Sequence, residues 1–442
     1  MKVLLTYTNT NKFCAPPPIG LLYISFSLKE AGHNVDLLDF MFSDNPYEDM
    51  VNTIRTIKPD IIGFSVRNLD NQNMLSPDNP LADVKRYILI AKECGIKTVL
   101  GGSAFNTYPK EMFEYTEADY GLAGQGEEYF AQLVDSLESG EINSSIPGLV
   151  FTKNDQTIVN PFGFSGYKDK KCDWSIVDME SYKKRLKTPR STAVITKTGC
   201  AFKCGFCNPV DTVGTVVIPR GIDEIIYDIK EVKRIHKVNS FFFIDSCFNS
   251  DLKFAKELLQ RIIDERLNIN FSTTIKPVNK CYDAEFFGLY KKAGGYFTML
   301  GLESLCPKMI ENYRVPYTLD DILKCTEIMH KSGLRFGLEL LFGGPGETLE
   351  TVEETLSALP KIKFSIFTYA IGVRILPNTL MCDISIKEGL IKGPDDLMFP
   401  KFYLSEKVPL EEMNSLIKRK TARYRSRRIQ MLPVIVKNLL YK

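Results

Sequence analysis

Over the first third of the chain, short and wholly apolar runs alternate with segments in which apolar residues recur every three or four positions. KVLLTYT, VDLLDF, DIIGFSV, KTVLGG and YGLAG are the strand-like runs; LLYISFSLKEAG, YEDMVNTIRTIK, LADVKRYILIAKECG and EEYFAQLVDSL are the helix-like ones. Strands without polar alternation are covered on both faces, so residues 1–145 are expected to form a parallel, doubly wound α/β domain. Such sheets take ligands at the carboxyl ends of their strands. Residues 146–190 break the pattern with a hairpin signal at Asn154-Asp155 and a Lys-rich crossing, and read as a linker. Strand and helix then alternate again over 191–380, and a helical C-terminal region, 381–442, follows. Its cationic run from Lys418 to Arg428 reads as a solvated helix face or an acidic-partner contact, with nucleic acid or a membrane surface as the alternative.

A chain of 442 residues exceeds one ordinary core. Lys+Arg 56 against Asp+Glu 54 leaves +2, which gives no general argument for nucleic acid. The start MKVLLTYT lacks the apolar core and cleavage site of a signal peptide, and no apolar stretch approaches the ~20 residues of a membrane span. Eleven cysteines without a paired framework suit a reducing cytoplasm.

The chemistry is concentrated in GCAFKCGFC, where Cys200, Cys204 and Cys207 form a C-x3-C-x2-C triplet directly after a strand-like run. Three thiolates on one loop suit three irons of a [4Fe-4S] cluster and leave the fourth iron open to a small molecule. Zinc is the alternative, but it favours four ligands, commonly with histidine, and no histidine lies near. Cys281, Cys306, Cys325 and Cys382 show no second cluster spacing.

The triplet, Phe206 within it and the strand before it resemble the radical S-adenosylmethionine (SAM) superfamily. The resemblance implies a partial (β/α)6 barrel over 191–380, with the open iron chelating SAM and reducing it to a 5'-deoxyadenosyl radical. Barrel sites lie at the carboxyl ends of strands. The second strand there ends near Asp245, Cys247 and Asn249, with Asp245 an expected cofactor contact. Gly301-Leu302-Glu303-Ser304 resembles an element whose carboxylate, here Glu303, meets the ribose hydroxyls. Gly343, Gly344 and Pro345, in the GGPGET turn ending at Thr348, are expected beside the adenine, and Arg374 and Leu376 near the end of the sixth strand. Asn378 stands where relatives often carry glycine; asparagine tolerates a positive φ.

Gly101-Gly102-Ser103 and Gly124-Gln125-Gly126-Glu127 likewise resemble turns of the Rossmann-like cobalamin-binding domain that precedes many such barrels. Arg67, followed by Asn68, is expected at the lower face of the corrin; its plainer alternative is a pairing with Asp70. The histidine signature D-x-H-x-x-G is absent, and His33 in AGHNVD reads as a solvated turn residue. A plain nucleotide-binding sheet is the alternative, although G-x-G-x-x-G and a P-loop are both missing. The cofactors implied are a [4Fe-4S] cluster, SAM and cobalamin, with an external flavodoxin- or ferredoxin-type electron donor. The activity implied is methylation of an unreactive carbon of a small molecule, with cyclisation or rearrangement as the alternative. A methylthiotransferase of transfer RNA would need a further N-terminal cysteine set, where only Cys14 and Cys94 occur, and a corrinoid module with a dead barrel would not need the intact triplet.

Overall fold

The computed structural model describes residues 1–10, 17–167, 170–185, 192–424 and 428–430. Cys14, part of the Lys-rich crossing and part of the basic C-terminal run lie outside the described residues.

The apolar runs of the first third become β1 (Lys2–Tyr7), β2 (Asn34–Asp39), β3 (Ile61–Ser65), β4 (Lys97–Gly101) and β5 (Tyr120–Leu122). All five are parallel, in the order β2-β1-β3-β4-β5. Helices α1 (Ile19–Glu30) and α5 (Gly126–Ser139) cover one face, where Leu5 and Val99 meet Leu21 and Phe130. Helices α2 (Pro46–Ile57), α3 (Leu81–Glu93) and α4 (Pro109–Thr116) cover the other, where Leu4, Ile62 and Leu100 meet Val84 and Met112. Because β2 and β3 flank β1 on opposite sides, the chain leaves β1 and β3 in opposite directions and opens a crevice at their carboxyl ends.

The sheet does not stop at β5. β6 (Leu149–Lys153) and β7 (Gln156–Val159) form a hairpin that pairs antiparallel onto β5, so part of the segment read as a linker completes the first sheet. Its two-residue turn holds Asn154 at φ 50° and Asp155 at φ 58°, the left-handed pair that asparagine and aspartate tolerate. The rest of the connector is packed rather than loose. Asp173 accepts from Ser25 Oγ at 2.6 Å and pairs with Lys29 at 2.6 Å, Tyr182 donates to Asp39 at 2.6 Å, and Trp174 is buried. One apolar core consequently runs through both domains.

The second sheet contains β8 (Thr192–Val194), β11 (Ser240–Phe243), β12 (Asn270–Ile275), β13 (Gly295–Glu303), β14 (Arg335–Phe342) and β15 (Ile366–Ile371), parallel and in chain order. These are the six expected barrel strands. A seventh, β18 (Arg428–Gln430), joins β15 from the C-terminal region, which is therefore not purely helical. Two short ribbons lie beside the barrel: β9 (Lys197–Thr198) with β10 (Ile218–Pro219), and β16 (Val373–Arg374) with β17 (Phe402–Tyr403). Among the described residues, no helix is long and apolar enough to cross a membrane.

Candidate cofactor sites at the domain interface

The cysteine loop leaves the β9 ribbon through Gly199 at φ 83°, where a Cβ would strike the Val216 carbonyl. Its backbone is then fixed at both ends. Cys200 N donates to Gly214 O at 3.0 Å, Gly205 N to Tyr313 O at 2.7 Å, and Met381 N to Gly205 O at 2.9 Å. Phe206 packs edge-on against Tyr313, with centroids 5.7 Å apart. The loop thus presents three thiols with no internal disulfide.

Three thiolates on one braced loop, without a fourth ligand in the motif, suit three irons of a [4Fe-4S] cluster better than a closed zinc site. Burial, reinforced by Glu303 and the neighbouring thiols against the pull of Lys276, pushes Cys204 up to about 12. Burial and Cys200 push Cys207 up to about 11, so loading the site releases protons.

Next to the triplet, Glu303 sits at the end of β13 with φ 57°, just after a register shift against β14. A non-glycine residue held there stores about 1–3 kcal/mol of strain. What holds it is a buried network: Lys276 Nζ donates to Glu303 Oε1 at 2.7 Å and to Gly301 O at 2.9 Å, and Tyr317 donates to the other carboxylate oxygen. Gly301 makes room for the ammonium, since a Cβ there would lie 2.6 Å from Lys276 Nζ. Burial alone would lower the Lys276 ammonium, but Glu303 beside it holds it above the ordinary lysine value. Glu339, opposite Gly301 in register, adds a second carboxylate; burial raises it, with Lys276 opposing. Lys276, Tyr317 and Glu339 escaped the sequence reading. The strand-ending lysine in NINFSTTIKP was the available signal.

The GGPGET turn is built just as tightly. Glu347 accepts from Gly343 N at 3.0 Å and Thr351 Oγ1 at 2.9 Å, and burial pushes it up to about 7. Gly344 N donates to Tyr313 Oη at 3.2 Å, and Asn312 donates to Pro345 O at 2.8 Å. Thr348 caps the following helix, and Asn378 adopts φ 56°, both as expected. Asn378 also donates to Asp211 at 2.9 Å, just past the cysteine loop.

A cleft separates the two domains. Arg67, Gly101, Gly102, Ser103, Gly124, Gly126 and Glu127 line its sheet wall; Asp245, Lys197, Thr198 and Ile244 line its barrel wall. Asp245 is wholly engaged, accepting from Thr196 N at 2.8 Å, Lys197 N at 3.2 Å and Lys197 Nζ at 3.0 Å. An apolar slot runs inward between β1, β3, β4 and α5, lined by Leu5, Val99 and Phe130. Gly63 keeps it open, since a Cβ there would meet Phe130 at 3.0 Å. Gly102, at φ 101°, is required by close approach to Val66 rather than by the cleft. Glu127 is buried at the start of α5, bonded to Gln125 Nε2 at 2.9 Å, and desolvation pushes it up to about 7. An apolar slot with a polar, glycine-rich rim fits a large corrinoid with an aromatic tail.

Two expectations change. His33 is buried, not solvated, with Met1 N 3.2 Å from Nδ1 and Asp135 3.1 Å from Nε2; that is the amino edge of the sheet, away from the cleft. Asp70 does not pair with Arg67. Its partner is Arg374, at 2.7 Å, so Arg67 stands exposed at the cleft with its carbonyl bonded by Ser103 at 2.8 Å. Asn68, Glu303, Gly343, Gly344, Pro345, Arg374 and Leu376 do not line this cleft.

Residues 14–134 match the B12 binding domain, and residues 194–359 match the Radical SAM superfamily. Tryptophan 2-C-methyltransferase of Streptomyces laurentii is 23% identical over 435 residues, covering 84% of this chain and 72% of that protein. Hopanoid C-3 methylase of Methylococcus capsulatus is 22% identical over 365 residues, covering 80% and 66%. The structure of the radical SAM methyltransferase TsrM from Kitasatospora setae, with cobalamin and a [4Fe-4S] cluster bound, superposes with a TM-score of 0.85 at 20% identity, covering 97% of this chain and 92% of that one, which shows the fold. With a B12 binding domain ahead of a radical SAM barrel that keeps its cysteine triplet, this chain belongs to the cobalamin-dependent radical SAM enzymes, whose cofactors are cobalamin, a [4Fe-4S] cluster and SAM.

Proposed function

We propose that this enzyme transfers a methyl group to an unactivated carbon of a small-molecule substrate. The observation that carries the reading is the cleft between the domains, with the glycine-rich sheet wall on one side and the barrel on the other. Three of the similar proteins are a tryptophan 2-C-methyltransferase, a hopanoid C-3 methylase and a cytidylyl-2-hydroxyethylphosphonate methyltransferase. When bound, cobalamin supplies a transferable methyl group, and the cluster with SAM supplies the one-electron chemistry that activates a C–H bond.

The chain's own residues position and shield. Cys200, Cys204 and Cys207 would hold the cluster on a loop braced by Tyr313 and Met381. Glu303, oriented by Lys276 and Tyr317, would accept from the ribose hydroxyls, and Gly343, Gly344 and Pro345 would border the adenine. On the sheet side, Gly101, Ser103, Gly124 and Gly126 would border the corrinoid, and the slot beneath would exclude water from its tail. An electron donor of flavodoxin or ferredoxin type and a cytoplasmic setting belong to the same reading.

Anaerobic protein loaded with both cofactors, given trideuteromethyl-SAM, a reductant and metabolite extract, should yield a product carrying all three deuteriums. Formation of 5'-deoxyadenosine with unlabelled, altered product would favour cyclisation instead. That second reading has its own support in the similarity to anaerobic magnesium-protoporphyrin IX monomethyl ester cyclase of Rubrivivax gelatinosus, 24% identical over 375 residues, covering 80% of this chain and 65% of that protein.

A further inference from the structure

Arg374 and Asp70 lie 304 residues apart in sequence and form a buried ion pair between the two domains, Nε to Oδ2 at 2.7 Å with side chains 5% and 4% exposed. Two other arginine donors grip backbone carbonyls on the far side of the pair. Nη1 bonds Ile375 O at 2.5 Å, and Nη2 bonds Leu397 O at 2.8 Å. The guanidinium is thereby immobilised, with Nε held on Asp70 of the first domain.

Asp70 belongs to the loop after β3, three residues beyond Arg67. That loop is internally stiff: Asp70 Oδ1 accepts from Gln72 N at 2.8 Å, and Asn71 donates to Ser76 O at 2.8 Å. Its near end is tied to the sheet through Ser103 and Arg67 O, and its middle rests on the barrel, where a Cβ at Gly372 would lie 3.1 Å from Met74 Cβ.

From Arg374 the chain continues directly to the cysteine loop. Asn378 bonds Asp211 at 2.9 Å, and Met381 N bonds Gly205 O at 2.9 Å, between Cys204 and Phe206. A continuous strap therefore runs from Arg67 on the cleft's sheet wall, through the Asp70–Arg374 pair, to the triplet on the barrel.

We infer that Arg374 is a positioning residue that, through Asp70, fixes the Arg67 loop against the barrel and so sets the separation of the corrinoid and cluster sites. This rests on the assignment of the two cofactor sites above. A buried ion pair is weak evidence for stability as such, since apolar replacements are often neutral. Its value here is one of register. Lysine cannot replace the arginine, because a single ammonium cannot span Asp70, Ile375 O and Leu397 O together.

The test uses holoenzyme carrying Co(II) cobalamin and reduced cluster. Pulsed electron paramagnetic resonance reads the cobalt–cluster distance, and continuous-wave spectra read the cobalt environment. Asp70→Asn, Arg374→Lys and the paired apolar variant Asp70→Leu/Arg374→Met are compared with the wild type, the last guarding against misfolding from one orphaned charge. The expected result is retained cobalamin and iron, a shifted or broadened distance distribution and an altered Co(II) spectrum. Lowered melting temperatures with wild-type distances and spectra in every folded variant would overturn the inference and leave the pair a plain structural contact. A wild type that holds no cobalamin would instead overturn the cofactor assignment beneath it.

Discussion

The two walls of the cleft are built on opposite principles. On the barrel wall and around the triplet three carboxylates are already partnered: Asp245 accepts four hydrogen bonds, Glu303 is clamped by Lys276 and Tyr317, and Glu347 closes its own turn. On the sheet wall, shape comes from missing side chains, at Gly63, Gly101, Gly124 and Gly126, above an apolar slot. Electrostatic preorganisation suits the side that must hold a charged, reactive sulfonium in one pose. Steric accommodation suits the side that must admit a large, mostly neutral macrocycle.

That contrast predicts unequal sensitivity. Replacing Cys200, Cys204 or Cys207 with alanine should abolish both iron retention and 5'-deoxyadenosine formation, while cobalamin uptake by the sheet persists; iron analysis and product chromatography check both halves. Next in size, Lys276→Met leaves the Glu303 carboxylate buried and unpaired, which should lower stability by about 3–5 kcal/mol and weaken SAM binding. Adding Glu303→Gln should recover much of the stability but not the binding, as denaturation and equilibrium dialysis would show.

The sheet wall responds to pH instead. Glu127 in the folded protein sits near 7 against an ordinary 4.5, because burial disfavours its charge. A carboxyl raised in this way favours the fold fully below pH 4.5, and that contribution is lost as pH rises through 7. Glu127→Gln should therefore stabilise the cofactor-free protein at pH 8 by at most about 3 kcal/mol and make little difference near pH 4. Equal effects at both pH values would show that the carboxyl is not desolvated. The smallest expected effect is that of Arg67→Lys or Arg67→Ala, which should retain cobalamin but alter the Co(II) spectrum. Loss of cobalamin would make Arg67 a binding residue.

Much of this was legible in the sequence, for identifiable reasons. Strands apolar on both faces specify a doubly wound sheet locally, and the cysteine triplet is a local motif, so β1 to β5, the six barrel strands and the cluster loop were all visible. Partnerships across strands were not. Glu303 was picked out but its Lys276 was not, since the two lie 27 residues apart and meet only because neighbouring strands end together. Asp70 looked like the natural partner of nearby Arg67 until the folded chain supplied Arg374 from the other domain. His33 looked exposed because its turn is polar; its burial depends on the amino terminus and α5 closing over it. The hairpin β6–β7 was recognised as a hairpin, but an isolated hairpin carries no mark of the sheet edge it will extend.

The central claim is that one chain carries an open-iron cluster on its barrel and a corrinoid free of histidine on the sheet wall of the cleft between the domains. Electron paramagnetic resonance of the anaerobically reconstituted, reduced and desalted protein tests both parts in one sample. The account predicts a reduced [4Fe-4S] signal that changes on addition of SAM, together with a Co(II) signal lacking nitrogen superhyperfine splitting. A cluster signal indifferent to SAM, or no cobalt signal retained after desalting, would contradict it.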